Sequence, residues 1–233
     1  MGNLFSSFDP QTSIMGINLS LNWISAVIVI FVFPQVYWLA QGQMAATVNM
    51  VVKLLSKELM AVFGSFCIPG TSLLFLSYFF FIMFSNFMGL FPYVFTASSH
   101  LVLTLSLSLP LWLGSMVWSL VFQFNSMMAH LVPSGTPGAL MPVMVIIETV
   151  SSVIRPFTLA IRLAANMIAG HLLLTLLGSQ GSMSIAMLSV LIALVLLLML
   201  ECAVACIQSY VFTILSSLYL NELLSVDMTK KSL

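Results

Sequence analysis

Charged residues are unusually scarce in this sequence. Of its 233 residues, 5% are charged and 61% are hydrophobic, and the mean hydropathy is +1.16. A soluble domain carries roughly 25% charged residues. This chain therefore cannot cover a water-facing surface, and we expect an integral membrane protein with several spans. Its six basic and six acidic residues balance to a net charge of zero, so no basic surface for nucleic acid is expected.

Cysteine and histidine are also scarce, with three residues of each. Cys202 and Cys206 are four residues apart and share a helix face. We interpret them as small residues facing lipid or another helix, because a zinc site needs more ligands of the right type nearby. Haem needs paired axial ligands on facing helices, and the histidines lie in different settings, so we expect neither a metal nor another cofactor. The three histidines are His100, His130 and His171.

Apolar segments divide the chain into predicted helices of two lengths. Among the shorter ones, one is interrupted at helical spacing by Lys53, Lys57 and Glu58, which predicts an amphipathic helix at the membrane interface. The other three are long enough to span a bilayer. The predicted shorter helices are an outer span at 17–40, the interfacial helix at 45–64, and a two-helix hairpin at 71–91 and 98–123.

Two longer apolar segments, 139–178 and 183–224, follow and are separated by the turn GSQGS at 178–182. At ~1.5 Å per residue each could be roughly 55–60 Å long, whereas the hydrocarbon core is ~30 Å thick. Each segment is therefore either two shorter helices or one strongly tilted helix. Pro156 permits a kink in the first, but the second contains no proline or glycine, which favours a long tilted hairpin. The fold class expected for 1–233 is a single all-α membrane domain.

The lysines predict the orientation. Four crossings separate Lys53 and Lys57 from Lys230 and Lys231, so both basic clusters lie on one side of the membrane. The positive-inside rule makes that side the interior, which is the cytoplasm or the matrix. The N-terminus and the 178–182 turn are then expected on the opposite side.

The charges of the first long segment are regularly spaced. Glu148, Arg155 and Arg162 follow one another at intervals of seven residues, or nearly two helical turns, so they lie on one stripe. Asn166 is one turn further along. A charge deep in a span costs from ~3 to above ~10 kcal/mol. We therefore expect the charged residues of this stripe to have a role in helix pairing or in function.

The second long segment carries a matching stripe. Glu201, Gln208 and Glu222 are spaced by seven and fourteen residues. In an antiparallel hairpin, nearly every polar residue of one segment then has a polar counterpart at the same depth in the other. The expected pairs by depth are Arg162 with Gln208, Glu148 with Glu222, and His171 with a position close to Glu201.

This layout favours a proton path. Histidine and glutamate can exchange protons near neutral pH, whereas arginine stays charged. Titratable groups toward the outside, a fixed cation in the middle and carboxylates toward the inside make two half-paths with a block between them. Such a block is compatible with transport if a mobile carboxylate on a partner protein carries the proton past the arginine. An alanine-rich helix face would allow a helix of that partner to approach closely. The alternatives are charges that only hold helices together, a proton-coupled secondary transporter, and a membrane subunit of the respiratory chain.

Several motifs resemble subunit a of the F-type ATP synthase in its mitochondrial form, in order and over essentially the whole chain. The Arg-x3-Asn-x4-His spacing, followed later by Glu-x6-Gln, is the most specific part. The motifs are SNFMGLFPY (85–93), LSLPLWLG (107–114), LVPSGTPGALMPVMVIIE (131–148), IIETVSSVIRPFTLAIRLAANMIAGHLLL (146–174) and ECAVACIQSYVFTILSSLYLNE (201–222).

The resemblance implies a function. The chain would be the stator half of a proton turbine, with no catalytic site of its own, supplying two offset half-channels to a ring of c subunits. Its further partners would be the peripheral stalk, other small subunits of the membrane sector and, indirectly, the F1 sector. The implied location is the mitochondrial inner membrane, with the N-terminus toward the intermembrane space and the C-terminus toward the matrix. Few lysines, 17 methionines and no evident transit peptide suggest a gene in the mitochondrial genome.

The resemblance also implies residue roles. Arg155 departs mildly from the family, because animal mitochondrial members can carry an uncharged residue there, and its role is left open. Ser85 is a further half-channel candidate on the resemblance alone. The roles implied at matching positions are Arg162 as the essential arginine facing the c-ring, Asn166 and Gln208 as its polar neighbours, His171, Glu201 and Asn86 in the intermembrane-space half-channel, and Glu148, with Glu222 beside it, in the matrix half-channel.

Overall fold

The fold was analysed in a computed structural model. It describes residues 8–14, 17–32, 42–64, 70–91, 94–122, 124–132, 137–179 and 186–225.

Helices make up almost all of the described chain. The two short strands are β1 (Thr12–Ile14) and β2 (Ile17–Leu19), which pair antiparallel. The helices are α1 (Ile24–Val32), α2 (Gln43–Phe63), α3 (Thr71–Leu90), α4 (Leu101–Phe122), α5 (Phe124–His130), α6 (Met141–Ser179) and α7 (Ala186–Ser225), with short 3-10 turns at Leu21–Trp23, Ala97–Ser99 and Gly138–Leu140.

The expected all-α membrane fold is confirmed. Within the described ranges, four helices are long and apolar enough to cross a membrane, and they belong to α3, α4, α6 and α7. α6 has 39 residues and continues through Pro156, and α7 has 40 residues. Both long segments are therefore single helices of about 60 Å, rather than pairs of shorter ones.

The start of the chain differs from the prediction. A helix was expected over 17–40, but the α-helix begins only at Ile24. Ile17–Leu19 instead pair with Thr12–Ile14, and Leu21–Trp23 form a 3-10 turn. The backbone groups of Ile17–Leu19 are thus bonded to another strand and not within a helix. The second half of the expected helix, from residue 33, lies outside the described residues, so its full span stays a prediction.

α2 has an apolar side and a charged side, as expected for the interfacial helix. Leu55 and Leu59 are buried, whereas Lys53 and Lys57 are exposed. The helix ends at Gly64, whose φ of 53° lies in the left-handed region that glycine adopts without strain.

Two hydrogen bonds attach α2 to α7. The Tyr210 hydroxyl donates to the Glu58 carboxylate at 2.9 Å, and the Asn221 amide donates to the Val62 carbonyl at 2.7 Å. The amphipathic helix is therefore a packed part of the fold as well as a surface feature.

The core of the protein lies between α3, α4 and the C-terminal hairpin. α3 packs along α7, and α4 packs along α6. Ile82, Leu163 and Phe212 join three of these helices in one buried cluster. This packing covers one side of the α6–α7 hairpin, while Arg162 and Ala165 remain on its exposed side.

Candidate proton-transfer site

Polar side chains of α6 and α7 meet near the middle of the hairpin. The Asn166 amide donates to the Gln208 side-chain oxygen at 3.1 Å. The expected partner of Gln208 by depth was Arg162, which lies one turn before Asn166 on α6. Asn166 and Gln208 nevertheless lie together beside Arg162, as neighbours on the same stripe.

Arg162 points away from the packed side of α6. It is exposed, whereas the next two residues, Leu163 and Ala164, are buried against the core. No ion pair of Arg162 occurs among the described residues. A permanently charged guanidinium on a face made mostly of apolar residues requires an anionic partner or water.

The surface around Arg162 is shallow. Ala165 and Ala169, about one and two turns beyond it, are exposed on the same helix. Small residues allow close approach between helices in a membrane. The exposed face thus combines a free cation with room for another helix.

Toward the end of the hairpin where α6 ends and α7 begins, Glu201 lies directly against Gly170. Glu201 is 9% exposed, and neither carboxylate oxygen has a hydrogen-bond partner among the described residues. A Cβ atom placed on Gly170 would overlap this carboxylate. Gly170 is therefore what admits the Glu201 side chain between the helices. Sequence reasoning missed it, although its place immediately before His171 could have drawn attention to it.

The His171 side chain lies against α3 as well as on the α6–α7 hairpin. The His171 imidazole lies close to the backbone of Gly89, and its Nε2 atom is buried without a partner in the described structure. Asn86, one turn before Gly89, is fully buried, and both of its side-chain polar atoms lack partners there. The expected proximity of His171 and Glu201 follows from the contact at Gly170.

Ser98 is a further residue that sequence reasoning missed. It lies in the 3-10 turn Ala97–Ser99, which packs against α6. Its side chain is fully buried, and its hydroxyl has no partner in the described part of the chain. Several buried polar groups without protein partners are typical of a site that holds ordered water. The sequence signal was the polar run TASSH at 96–100.

A second polar cluster lies toward the opposite end of the hairpin. The Arg155 guanidinium bonds to the Glu222 carboxylate and lies 3.8 Å from the Glu148 carboxylate. Glu148 and Glu222 were expected at the same depth, and both contact the one guanidinium of Arg155. Arg155 joins the two carboxylates of different helices.

Metal binding has no support in the described ranges. There, no three histidine, cysteine, aspartate or glutamate side chains are grouped so as to hold an ion. Cys202 and Cys206 are free.

Comparison with known proteins decides the family. The family model described as ATP synthase A chain matches residues 19–221, which is most of the chain. The chain belongs to this family. Members of the family are the proton-translocating stator subunits of the Fo membrane sector, and ATP chemistry takes place in F1. The expected function is therefore confirmed over the transporter and respiratory-chain alternatives.

Curated relatives agree with this assignment over nearly their whole length. The chain is 53% identical to "ATP synthase subunit a" of Aedes aegypti over 225 residues, which cover 95% of this chain and 99% of the relative. It is 52% identical to the subunit of the same name from Anopheles gambiae over the same shares of both chains. The identity to the Drosophila melanogaster subunit is 52% over 224 residues, again covering 95% and 99%.

Proposed function

We propose that Arg162 separates two proton half-channels and faces the c-ring. One observation carries the proposal: Arg162 is exposed near the middle of the α6–α7 hairpin, without an ion pair in the described chain, while titratable clusters lie on either side of it along the same two helices. A partner carboxylate at this face would meet a fixed cation between two sets of proton-exchanging groups.

The outer half-channel is formed by Glu201, His171 and Asn86, with Ser98 as a further lining residue. Their unpartnered polar atoms are suited to bind a chain of water molecules, which can pass protons between side chains. A proton from the intermembrane space enters here and neutralises a carboxylate of the c-ring. The neutral ring site can then rotate into lipid, because the cost of an exposed charge has been removed.

The inner half-channel contains Glu148 and Glu222. Their side chains are 39% and 54% exposed, which supports access of water to them from the matrix side. After nearly a full rotation, the ring carboxylate meets this half-channel and releases its proton toward them. Arg162 stabilises the resulting anion by an opposite charge.

Arg162 also prevents a direct leak between the two half-channels. A fixed cation repels a proton that approaches it without a carrier. The membrane potential is worth ~2.3 kcal/mol per charge per 100 mV, and a leak would dissipate it without rotation. Asn166 and Gln208, which bond to each other beside Arg162, maintain the position of the two helices at this point.

Family membership supports the partners and the location that we propose. The chain assembles with the c-ring, the peripheral stalk and other small Fo subunits, and indirectly with F1, in the mitochondrial inner membrane. Exposed Lys53 and Lys57 on α2 support a matrix location for that side of α2, with the N-terminus toward the intermembrane space. Lys230 and Lys231, which support a matrix C-terminus, lie outside the described residues. The gene is expected in the mitochondrial genome.

The experiment that tests the proposal is ATP-driven proton pumping by the complex in liposomes, with wild-type chain and with Arg162→Ala. Pumping should be lost in the variant, and it should be lost in the wild type when the ring carboxylate is chemically blocked. Ile161→Ala is the matched control, because Ile161 is exposed beside Arg162 but uncharged. Normal pumping by Arg162→Ala would refute the proposed role.

A further inference from the structure

We propose that Arg155 is a positioning residue that holds the two exit carboxylates, Glu148 and Glu222, in one cluster at the inner end of the hairpin. This assignment rests on the proposed inner half-channel. It concerns a residue for which neither the sequence pattern nor the family motif supplied a role.

The geometry around Arg155 joins both long helices. One terminal nitrogen bonds to Glu222 of α7, while the other lies 3.8 Å from Glu148, two turns earlier on α6. The guanidinium carbon also lies 5.0 Å from the centre of the Tyr219 ring on α7. The planar guanidinium group of arginine suits this arrangement, because it can interact with two carboxylates and stack on an aromatic ring at the same time.

The charges around the cluster are few. α3 and α4, which pack against the hairpin, contain no charged residue. α2, which packs on α7, carries Lys53, Lys57 and Glu58, and Glu58 accepts the Tyr210 hydrogen bond. Of the two arginines on α6, Arg155 is the one that contacts Glu148 and Glu222, so its charge offsets the repulsion between the two carboxylates.

The exposure of the cluster points to a functional role. The Arg155, Glu148 and Glu222 side chains are 32%, 39% and 54% exposed. Ion pairs this open to solvent contribute little to stability, and water can reach the carboxylates. The cluster thus stabilises the fold only weakly, but it holds two partly exposed carboxylates close together. Such a pair of carboxylates is suited to proton release.

Arg155 and Arg162 differ in their ion pairs within the chain. They lie seven residues apart on one stripe of α6, yet Arg155 binds partners within the chain while Arg162 has no ion pair among the described residues. Arg155 thus organises the inner half-channel, and Arg162 remains available to the ring.

The test uses the intact complex with Arg155→Gln and Arg155→Lys, measured as proton pumping per assembled complex. Arg155→Gln should lower the rate by roughly tenfold, the size expected when a charge-assisted hydrogen bond is lost. Arg155→Lys should restore most of it, because the cation returns. A merely structural residue would change the amount of assembled complex and leave the rate per complex unchanged, which would overturn the proposal.

A double-mutant comparison separates this inference from the function on which it rests. If Arg155 acts through Glu222, Arg155→Gln combined with Glu222→Gln should cost little more than Glu222→Gln alone. Additive losses would overturn the coupling while leaving Glu222 in the path. Full pumping by Glu148→Gln and by Glu222→Gln would instead remove the proposed inner half-channel, and the role of Arg155 with it.

Discussion

The two ends of the α6–α7 hairpin solve the problem of polar groups in a membrane differently. At one end, Glu201 and Asn86 are buried, and their side-chain polar atoms have no partners in the described chain. At the other end, Glu148 and Glu222 are partly exposed and gather around Arg155. The first arrangement combines close helix packing with polar atoms that have no partner in the described chain, and the second relies on ion pairing. The same two helices thus carry an enclosed polar pocket and an open charged cluster.

The largest effect is expected from the residue between the two ends. Arg162→Ala should abolish proton-driven ATP synthesis, because nothing would stabilise the ring anion or block the leak. Synthesis in reconstituted liposomes measures this, and immunodetection of the complex checks that the chain is still inserted. Substantial synthesis in a fully assembled variant would contradict the separation of the two ends by Arg162.

The next largest effect is expected at the enclosed end. Gly170→Ala should reduce coupled proton flow severalfold, because the new Cβ would overlap the Glu201 carboxylate and force it out of its position between the helices. Proton uptake by reconstituted complexes measures the loss.

Gly178→Ala is the matched control for this change. Gly178 lies in the same helix, and an added Cβ there meets no atom of the described residues within 4 Å. Equal effects of the two substitutions would show that helix packing at Gly170 is not what places Glu201.

Removing the charge of Glu201 should have an intermediate effect. Glu201→Gln keeps the shape of the side chain but cannot exchange a proton, so coupled proton flow should fall severalfold without a large passive leak. The comparison of ATP-driven and passive proton movement in the same vesicles checks both parts. Full activity would take Glu201 out of the path.

The smallest effect is expected away from both ends. Tyr210→Phe removes the exposed hydrogen bond to Glu58, so the stability of the complex should fall by less than about 1 kcal/mol. Thermal dissociation of the purified complex measures this. A loss of pumping without any loss of stability would mean that α2 contributes to the proton path.

Much of the fold was readable from the sequence because hydrophobic length has few solutions in a bilayer. Four long apolar helices, the amphipathic helix and the C-terminal hairpin were all expected, and the all-helical fold is confirmed. The first helix was predicted to begin at residue 17, but it begins at Ile24. Hydropathy does not show that Ile17–Leu19 pair with Thr12–Ile14 as a short strand, which takes these residues out of the helix.

The candidate site was less predictable in detail. Seven-residue spacing placed Arg155 and Arg162 on one stripe, but it could not say which one would find partners within the chain. Depth matching put Gln208 beside Arg162, whereas the amide pairs with Asn166. Which of two residues one turn apart meets a given side chain of the facing helix is set by side-chain packing, which periodicity alone does not specify.

The sequence by itself determined that this protein lies in a membrane, that its polar residues follow two matching stripes, and that it resembles the family to which it belongs. These follow from composition and helical periodicity, which are local. Only the tertiary structure decided that Gly170 admits Glu201, that α3 brings Asn86 toward His171, and that Arg155 joins Glu148 to Glu222. Each of these depends on the close approach of residues distant in the chain, and helix packing alone sets those distances.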